Sequence, residues 1–202
     1  MEPQNNLFPV FLKLSNMSVL IVGGGNVAAE KLHFLLKSSP NANVTVVTKV
    51  ASKMVLNIIK SNYNTQLIID SYNKSHLMGK DLVIAATEVE STNLSIWNDS
   101  KSEKIIVNVA DTPELCDFYM GSIVTKGDLK LAISTNGTSP TFAKRFRQLL
   151  EAVLPDTLPA TLKNLHSIRK TLSGDFAKKV DSLNKLTEVL TLNQKENELF
   201  KR

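Results

Sequence analysis

A chain of 202 residues, 43% hydrophobic and 21% charged, has a globular balance with room for one α/β domain and a small appendage; wholesale disorder and two large domains are excluded. Its single cysteine, Cys116, rules out a disulfide framework or a cysteine zinc site within one chain and fits a reducing, cytoplasmic home. The net charge of +5 is uneven: residues 1–140 hold 12 Lys/Arg against 12 Asp/Glu and residues 141–202 hold 12 against 7, so the last third faces an anionic partner or presents a solvated helical face.

The first six residues lack the basic start and apolar run of a signal peptide. No stretch approaches the roughly 20 apolar residues that span a bilayer, so a soluble chain is expected. Short apolar, β-branched runs follow at 7–12, 19–22, 44–47, 66–69, 82–86, 105–109 and 129–134. Runs that are apolar almost throughout are buried on both faces, which predicts the strands of a mainly parallel sheet. Between them the pattern turns helical, most clearly at 27–37, where Ala28, Leu32, Leu35 and Leu36 share one face. Alternating units of this kind predict an α/β fold with a Rossmann-type, doubly wound sheet.

Directly after the second run stands Gly23-Gly24-Gly25-Asn26-Val27-Ala28, the G-x-G-x-x-A form of the dinucleotide fingerprint in the strand–turn–helix setting that the motif requires. Gly23 allows the tight turn, Gly25 lets the backbone approach a pyrophosphate, and Ala28 lets the helix pack closely on the strand. The helix N-terminus then offers N–H groups and a partial positive charge to the phosphates. The alternative is a purely structural turn. Domains that prefer NAD usually end the second strand on Asp or Glu, which bonds the adenosine ribose. Here that run leads into Thr48-Lys49-Val50, so a hydroxyl or backbone group must hold the ribose, and Lys49 tolerates a 2′-phosphate. NAD over NADP does not follow from the residues.

The run at 105–109 ends in Asn108-Val109-Ala110-Asp111-Thr112-Pro113. Ligands of open α/β sheets bind beyond the carboxyl ends of the strands, which puts Asp111 in the cofactor crevice, where a carboxylate accepts a proton or binds a cation. Asp before Thr-Pro is equally a turn starter. Further on, Ser139 suits an N-cap and Pro140 the first position of a helix whose stripe is Phe142, Phe146, Leu149, Leu150 and Val153, stopping near Leu154. Pro155 and Pro159 flank a break. Residues 160–200 show no strand pattern and carry Leu162, Leu165, Ile168 and Leu172 at helical spacing, which predicts a small all-helical C-terminal domain of two or three helices. Such a tail needs the first domain or a second subunit to pack on. His33, His76 and His166 are scattered without metal-ligand spacing; structural or surface roles, and no metal site, are expected.

Five motifs occur together and in order: Leu7-Phe8-Pro9-Val10-Phe11, the glycine loop from Val22 to Ala28, Ala85-Ala86-Thr87, Asn108-Val109-Ala110-Asp111, and Ser134-Thr135-Asn136-Gly137-Thr138-Ser139-Pro140. On these the chain, from Leu7 to Pro155, resembles the precorrin-2 dehydrogenase and sirohydrochlorin ferrochelatase family, which also forms the N-terminal half of bacterial siroheme synthases. The resemblance implies NAD-dependent removal of two hydrogens from precorrin-2, giving sirohydrochlorin in siroheme biosynthesis, by a homodimer. Some members also insert ferrous iron at the same site, and the residues leave that open. The resemblance carries the catalytic aspartate over to Asp111. It carries cofactor contacts over to Asn26 and Val27 and to the Thr48-Lys49-Val50 turn; with the fingerprint glycines Gly23, Gly24 and Gly25 and with Ala86 and Thr87, these make the expected cofactor set. Members tend to place proline shortly after the Phe that follows the aspartate; this chain has Phe118-Tyr119-Met120-Gly121-Ser122 instead. No chain remains for the methyltransferase of the fused synthases, whose reaction is expected of another protein.

Precorrin-2 bears several carboxylates, and Asn108, Thr138, Ser139, Lys144 and Arg145 are expected to bind it, with Arg147, Lys163, Arg169 and Lys170 in a wider basic set. Thr138, Ser139 and the turn after Pro140 offer a second anion site. The same cations also suit a solvated face opposite the apolar stripe. The segments expected are an NAD-binding Rossmann domain at 1–114, a central dimerisation and substrate segment at 115–154, and a helical domain at 155–202. The rival reading is an NAD-sensing regulatory module without catalysis, which has no use for Asp111 or the 134–140 segment. Nucleic-acid binding ranks below it, because the tail's aromatics, Phe142, Phe146, Phe176 and Phe200, give few stacking positions.

Overall fold

Strands that are apolar on both faces are stable only where both faces are covered, and the computed structural model, which describes residues 5–172 and 176–187, covers them. Strands β1 (Ser18–Val22), β2 (Asn43–Thr48), β3 (Thr65–Ile69), β4 (Leu82–Ala85) and β5 (Ile106–Val109) lie parallel in the order β3-β2-β1-β4-β5. Helices α1 (Asn26–Ser38), α2 (Lys53–Lys60) and α3 (Glu90–Ser102) connect β1 to β2, β2 to β3 and β4 to β5. Successive strand residues point to opposite faces. Val19, Ile21, Val44, Val46, Leu82 and Ile84 therefore pack with Ala28, Leu32, Leu35 and Leu36 of α1 and Val55 of α2. Leu20, Val22, Val47, Val83, Val107 and Val109 pack with Ile96 of α3 on the other face. Each aliphatic side chain so buried contributes roughly 1.5–3 kcal/mol, far more than an exposed ion pair such as Lys74–Glu103. The result is the Rossmann-type doubly wound sheet that the alternating pattern predicts.

Two of the expected strands differ. Residues 7–12 form no strand: Phe8 is 87% and Phe11 66% exposed. Pro9 has no N–H for a ladder, and both edges of β1 are occupied by β2 and β4. The chain instead enters the sheet through a 3₁₀ turn, Leu14–Asn16, whose Leu14 packs on the core. The 129–134 run does make a strand, β7 (Leu129–Ile133), but outside the parallel sheet. It pairs with β6 (Ser122–Lys126) in a separate two-stranded sheet around Gly127-Asp128, with Gly127 at φ +59°.

Beyond the hairpin follow α4 (Pro140–Val153), α5 (Leu158–Thr171) and α6 (Phe176–Leu186). Pro159 lies in the first turn of α5, where no N–H is missed, so it opens the helix and does not prolong the break. A third tail helix and Phe200 fall outside the described residues. The chain divides into two compact units, one holding the parallel sheet to Ile123 together with Ala132–Arg145, the other holding Val124–Leu131 and the chain from Phe146 on. In the second, Lys126 pairs with Asp156 at 2.6 Å. Among the described residues no helix is long and apolar enough to cross a membrane.

Candidate functional site

The carboxyl ends of β1, β4 and β5 are level: Val22 stands beside Ala85, and Ala85 beside Val109. One residue on, Ala86 N–H donates to Val22 O at 2.8 Å and Ala110 N–H to Ala85 O at 2.9 Å, so three loops leave the sheet from one edge. The strand order reverses direction between β1 and β4, and open α/β sheets bind ligands at that switch point.

The first loop is shaped by what a side chain would hit. Gly23 has φ +135°, and a Cβ there would lie 2.2 Å from Ala86 O; one on Gly24 would lie 2.1 Å from Val50 O and 2.4 Å from Thr48 Oγ1. These two glycines press the loop against the neighbouring strand ends. Gly25 differs: the nearest atom to its absent Cβ is Glu88 Oε1, the end of an exposed side chain, at 3.2 Å. Gly25 begins α1 with no side-chain cap, and the first turn holds no acid. Over Gly25 stands only the end of a flexible side chain, beside uncapped helix N–H groups, an arrangement that fits a pyrophosphate once Glu88 turns aside. Asn26 and Val27 are exposed at this rim.

The flanking turns are locked by their own side chains. Thr48 Oγ1 donates to Val50 O at 2.9 Å and accepts from Val50 N–H at 3.3 Å, so the hydroxyl expected to meet the ribose is closed on its own turn. Lys49 and Val50 remain exposed. On the β4 side Ala86 is buried, and Asn93 of α3 clamps Thr87: its Oδ1 accepts from Thr87 Oγ1 at 2.7 Å and from Thr87 N–H at 3.2 Å, and its Nδ2 donates to Thr87 O at 3.0 Å. Asn93 carries no sequence motif, and only the fold reveals its part in holding this loop.

Asp111 follows β5 in the left-handed conformation, φ +59°, and is exposed. Asp adopts this region more readily than most residues, yet it is uncommon enough off glycine to mark a position held by its surroundings. Those surroundings are side chains. Asn108, 6% exposed, donates from Nδ2 to Phe118 O at 2.8 Å and to Cys116 Sγ at 3.3 Å; Cys116 Sγ donates to Val109 O at 3.2 Å. Asp117 accepts from Val107 N–H at 3.1 Å, returns its own N–H to Val107 O at 2.8 Å, and pairs with Lys101. Burial pushes the Cys116 thiol up, which keeps it a thiol and not a nucleophile. Among the described residues nothing bonds the Asp111 carboxylate, which is open to take a proton.

Downstream, a Cβ on Gly121 would lie 2.5 Å from Ile133 O, so the backbone path of this chain leaves no room for a side chain there. Ser139 Oγ accepts from Phe142 N–H at 3.2 Å, the expected N-cap of α4. Thr138, Lys144 and Arg145 are exposed in the same unit as the sheet. Arg147 is paired with Glu151 at 2.6 Å, and Lys163, Arg169 and Lys170 lie on α5 in the second unit. His33 is exposed on α1, His76 Nδ1 accepts from Asn73 N–H at 3.1 Å in a capping box, and His166 is exposed on α5.

Residues 10–122 match the family described as "Putative NAD(P)-binding", and residues 126–152 match "Sirohaem biosynthesis protein central". A siroheme synthase of Psychrobacter sp. (strain PRwf-1) is 37% identical over 177 residues, 88% of this chain and 34% of its own length. One of Pseudoalteromonas translucida is 36% identical over 172 residues, 85% of this chain and 34% of its own. The chain thus spans about a third of the length of these relatives. A solved structure titled "SirC, precorrin-2 dehydrogenase" shares the fold, with TM-score 0.68 and 24% identity over 89% of each chain. With the dinucleotide-binding match covering more than half of its residues, the chain belongs to the NAD(P)-binding family, in the form that siroheme synthases carry.

Proposed function

We propose that this chain oxidises precorrin-2 to sirohydrochlorin in the cytoplasm, with NAD as acceptor. The observation that carries the reading is the open Asp111 carboxylate, fixed at the end of β5 on the same edge as the glycine loop. Loss of two hydrogens from the macrocycle divides into a hydride and a proton. NAD, when bound, supplies the hydride acceptor. The backbone of Gly23 to Val27 receives the pyrophosphate, the Thr48-Lys49-Val50 turn and the Ala86-Thr87 strand end flank it, and Asp111 Oδ takes the proton. Asn108 acts here as a positioning residue, because its amide is committed to the loop that presents Asp111. Thr138, Ser139, Lys144 and Arg145 meet substrate carboxylates. The segments 1–114, 115–154 and 155–202 serve as cofactor, central and C-terminal parts.

We also place the working protein as a homodimer, supported by apolar residues left in water by one copy, among them Val10, Leu149 and Val153. The test incubates the purified chain with precorrin-2 and NAD and follows NADH and sirohydrochlorin absorbance, before and after adding ferrous iron. A general base contributes about 10² to 10⁴ in rate, so Asp111→Ala is expected to lose activity on that scale with NAD affinity little changed. Chelatase activity, where the iron arm detects it, falls with the same substitution. Near wild-type turnover by Asp111→Ala reduces the residue to a turn former.

A further inference from the structure

NAD-selective Rossmann sites end their second strand on a carboxylate, which bonds the ribose hydroxyl and repels a 2′-phosphate. Nothing of that kind stands here. From Asn43 to Ile69 the chain has no acidic residue and three lysines, Lys49, Lys53 and Lys60. The nearest carboxylate beyond is Asp70, whose N–H donates to Thr48 O at 3.0 Å. Its side chain is turned to its own loop: Oδ1 accepts from Ser71 N–H at 2.7 Å, and Oδ2 faces His76 Nε2 at 3.4 Å and Asn73 Nδ2 at 3.5 Å. The carboxylates of Glu88 and Asp111 belong to the β4 and β5 loops, across β1 from β2.

The turn after β2 is also fixed relative to the glycine loop. Gly24 has no room for a Cβ against Val50 O, Ser52 N–H donates to Gly24 O at 2.9 Å, and the Thr48 hydroxyl is spent within the turn. The exposed cations at this end are Lys49, on the turn itself, and Lys53, in the first turn of α2, and neither has an ion-pair partner among the described residues; Lys49 stands directly after the last residue of β2, where an acidic residue would bond the ribose. We propose that the adenosine end of the site admits a 2′-phosphate, with Lys49 as its cation, so that the chain takes NADP alongside NAD. The proposal rests on the dinucleotide site described above. A flexible ammonium serves a phosphate as a point charge and leaves the hydroxyl of NAD unopposed, so the two cofactors are discriminated weakly.

Calorimetric titration of the full chain with NAD, NADP, 5′-AMP and 2′,5′-ADP tests this. NADP is expected to bind within about tenfold of NAD, and 2′,5′-ADP more tightly than 5′-AMP. A hydrogen bond to a charged group is worth roughly 10- to 100-fold in affinity, so Lys49→Glu lowers the NADP-to-NAD affinity ratio by about that factor, while Lys49→Arg retains it. Circular dichroism of each variant reports the fold. Binding of NAD with NADP weaker by about 100-fold or more overturns the proposal, as does an unchanged ratio in Lys49→Glu. Failure of both dinucleotides overturns the site itself, and the specificity with it.

Discussion

The loop after β1 and the loop after β5 leave the same edge of the sheet but are held in opposite ways. The first has its shape because side chains are missing: a Cβ on Gly23 would lie 2.2 Å from Ala86 O, and one on Gly24 2.1 Å from Val50 O. The second has its shape because side chains are present, with Asn108, Cys116 and Asp117 tying Val107, Val109 and Phe118 around Asp111. A loop made by close backbone approach has no room for a side chain at Gly23 or Gly24. A loop made by side-chain hydrogen bonds can hold a carboxylate in an uncommon conformation. The dinucleotide side of the site is thus rigid backbone, and the proposed proton-accepting side is a presented functional group.

The sharpest way to break this contrast lies within the glycine loop. Gly23→Val places a β-branched residue at φ +135° with its Cβ 2.2 Å from Ala86 O, and is expected to lose about 3 kcal/mol or more in urea unfolding. Gly25→Val meets only the mobile end of Glu88 at 3.2 Å. Its stability is expected to stay within about 1 kcal/mol of wild type while NAD binding disappears. Two neighbouring glycines then separate into one that holds the fold and one that admits the ligand. Equal loss of stability in both variants removes the distinction, and unchanged NAD affinity in Gly25→Val removes the site.

The next effect concerns the conformation of Asp111 itself. The left-handed region costs an ordinary residue roughly 1–2 kcal/mol, and glycine avoids this while losing roughly 0.5–1 kcal/mol to its freer unfolded state. Asp111→Gly is therefore expected to remain within about 1 kcal/mol of wild type, Asp111→Val to lose about 2 kcal/mol, and both to lose dehydrogenase activity. Chemical denaturation beside the NADH assay separates the two roles. A stable Asp111→Gly variant with full activity would sink the base assignment; an unstable one would show that the carboxylate holds the loop.

These loops also mark what can be read from the sequence. Gly23 to Ala28 is legible because the constraint is local: a tight turn, a close approach and a helix start follow one another in six residues. The two-faced strands are legible for a similar reason, as Val19 to Val22 can satisfy both core clusters only from inside a parallel sheet. The Ser139 cap follows from its own neighbours, Pro140 and Phe142. Residues 7–12 mislead because a continuous apolar run says nothing about whether a sheet edge is free. The β6–β7 hairpin has a readable cue, the two-residue Gly127-Asp128 turn, whereas the apolar run at 129–134 is alike for a parallel or an antiparallel strand. Asn93 and the ties around Asp111 are tertiary: their partners sit up to 10 residues away across a turn, and no spacing rule names them.

The smallest expected effect tests whether those ties form in solution. The Cys116 Sγ is half-buried, bonded to Val109 and Thr112 backbone, and burial outweighs the carbonyl contact in moving its pKa up. A raised folded pKa means that folding favours the protonated thiol. Its contribution to stability is present below the ordinary thiol range and is lost as pH rises through the folded value. Because the thiolate is the nucleophile, iodoacetamide at pH of about 8 to 9 is expected to label the folded chain at least about tenfold more slowly than the chain in urea. Titrating further into alkali should raise the folded rate and lower the unfolding midpoint together. Asp111→Gly, with the ties intact, is expected to keep the slow labelling; Asn108→Ala, which removes the amide from both Cys116 and Phe118, is expected to speed it. Equal labelling of folded and unfolded chains would mean that Cys116 is not held, and that Asn108 and Asp117 alone support the loop bearing Asp111.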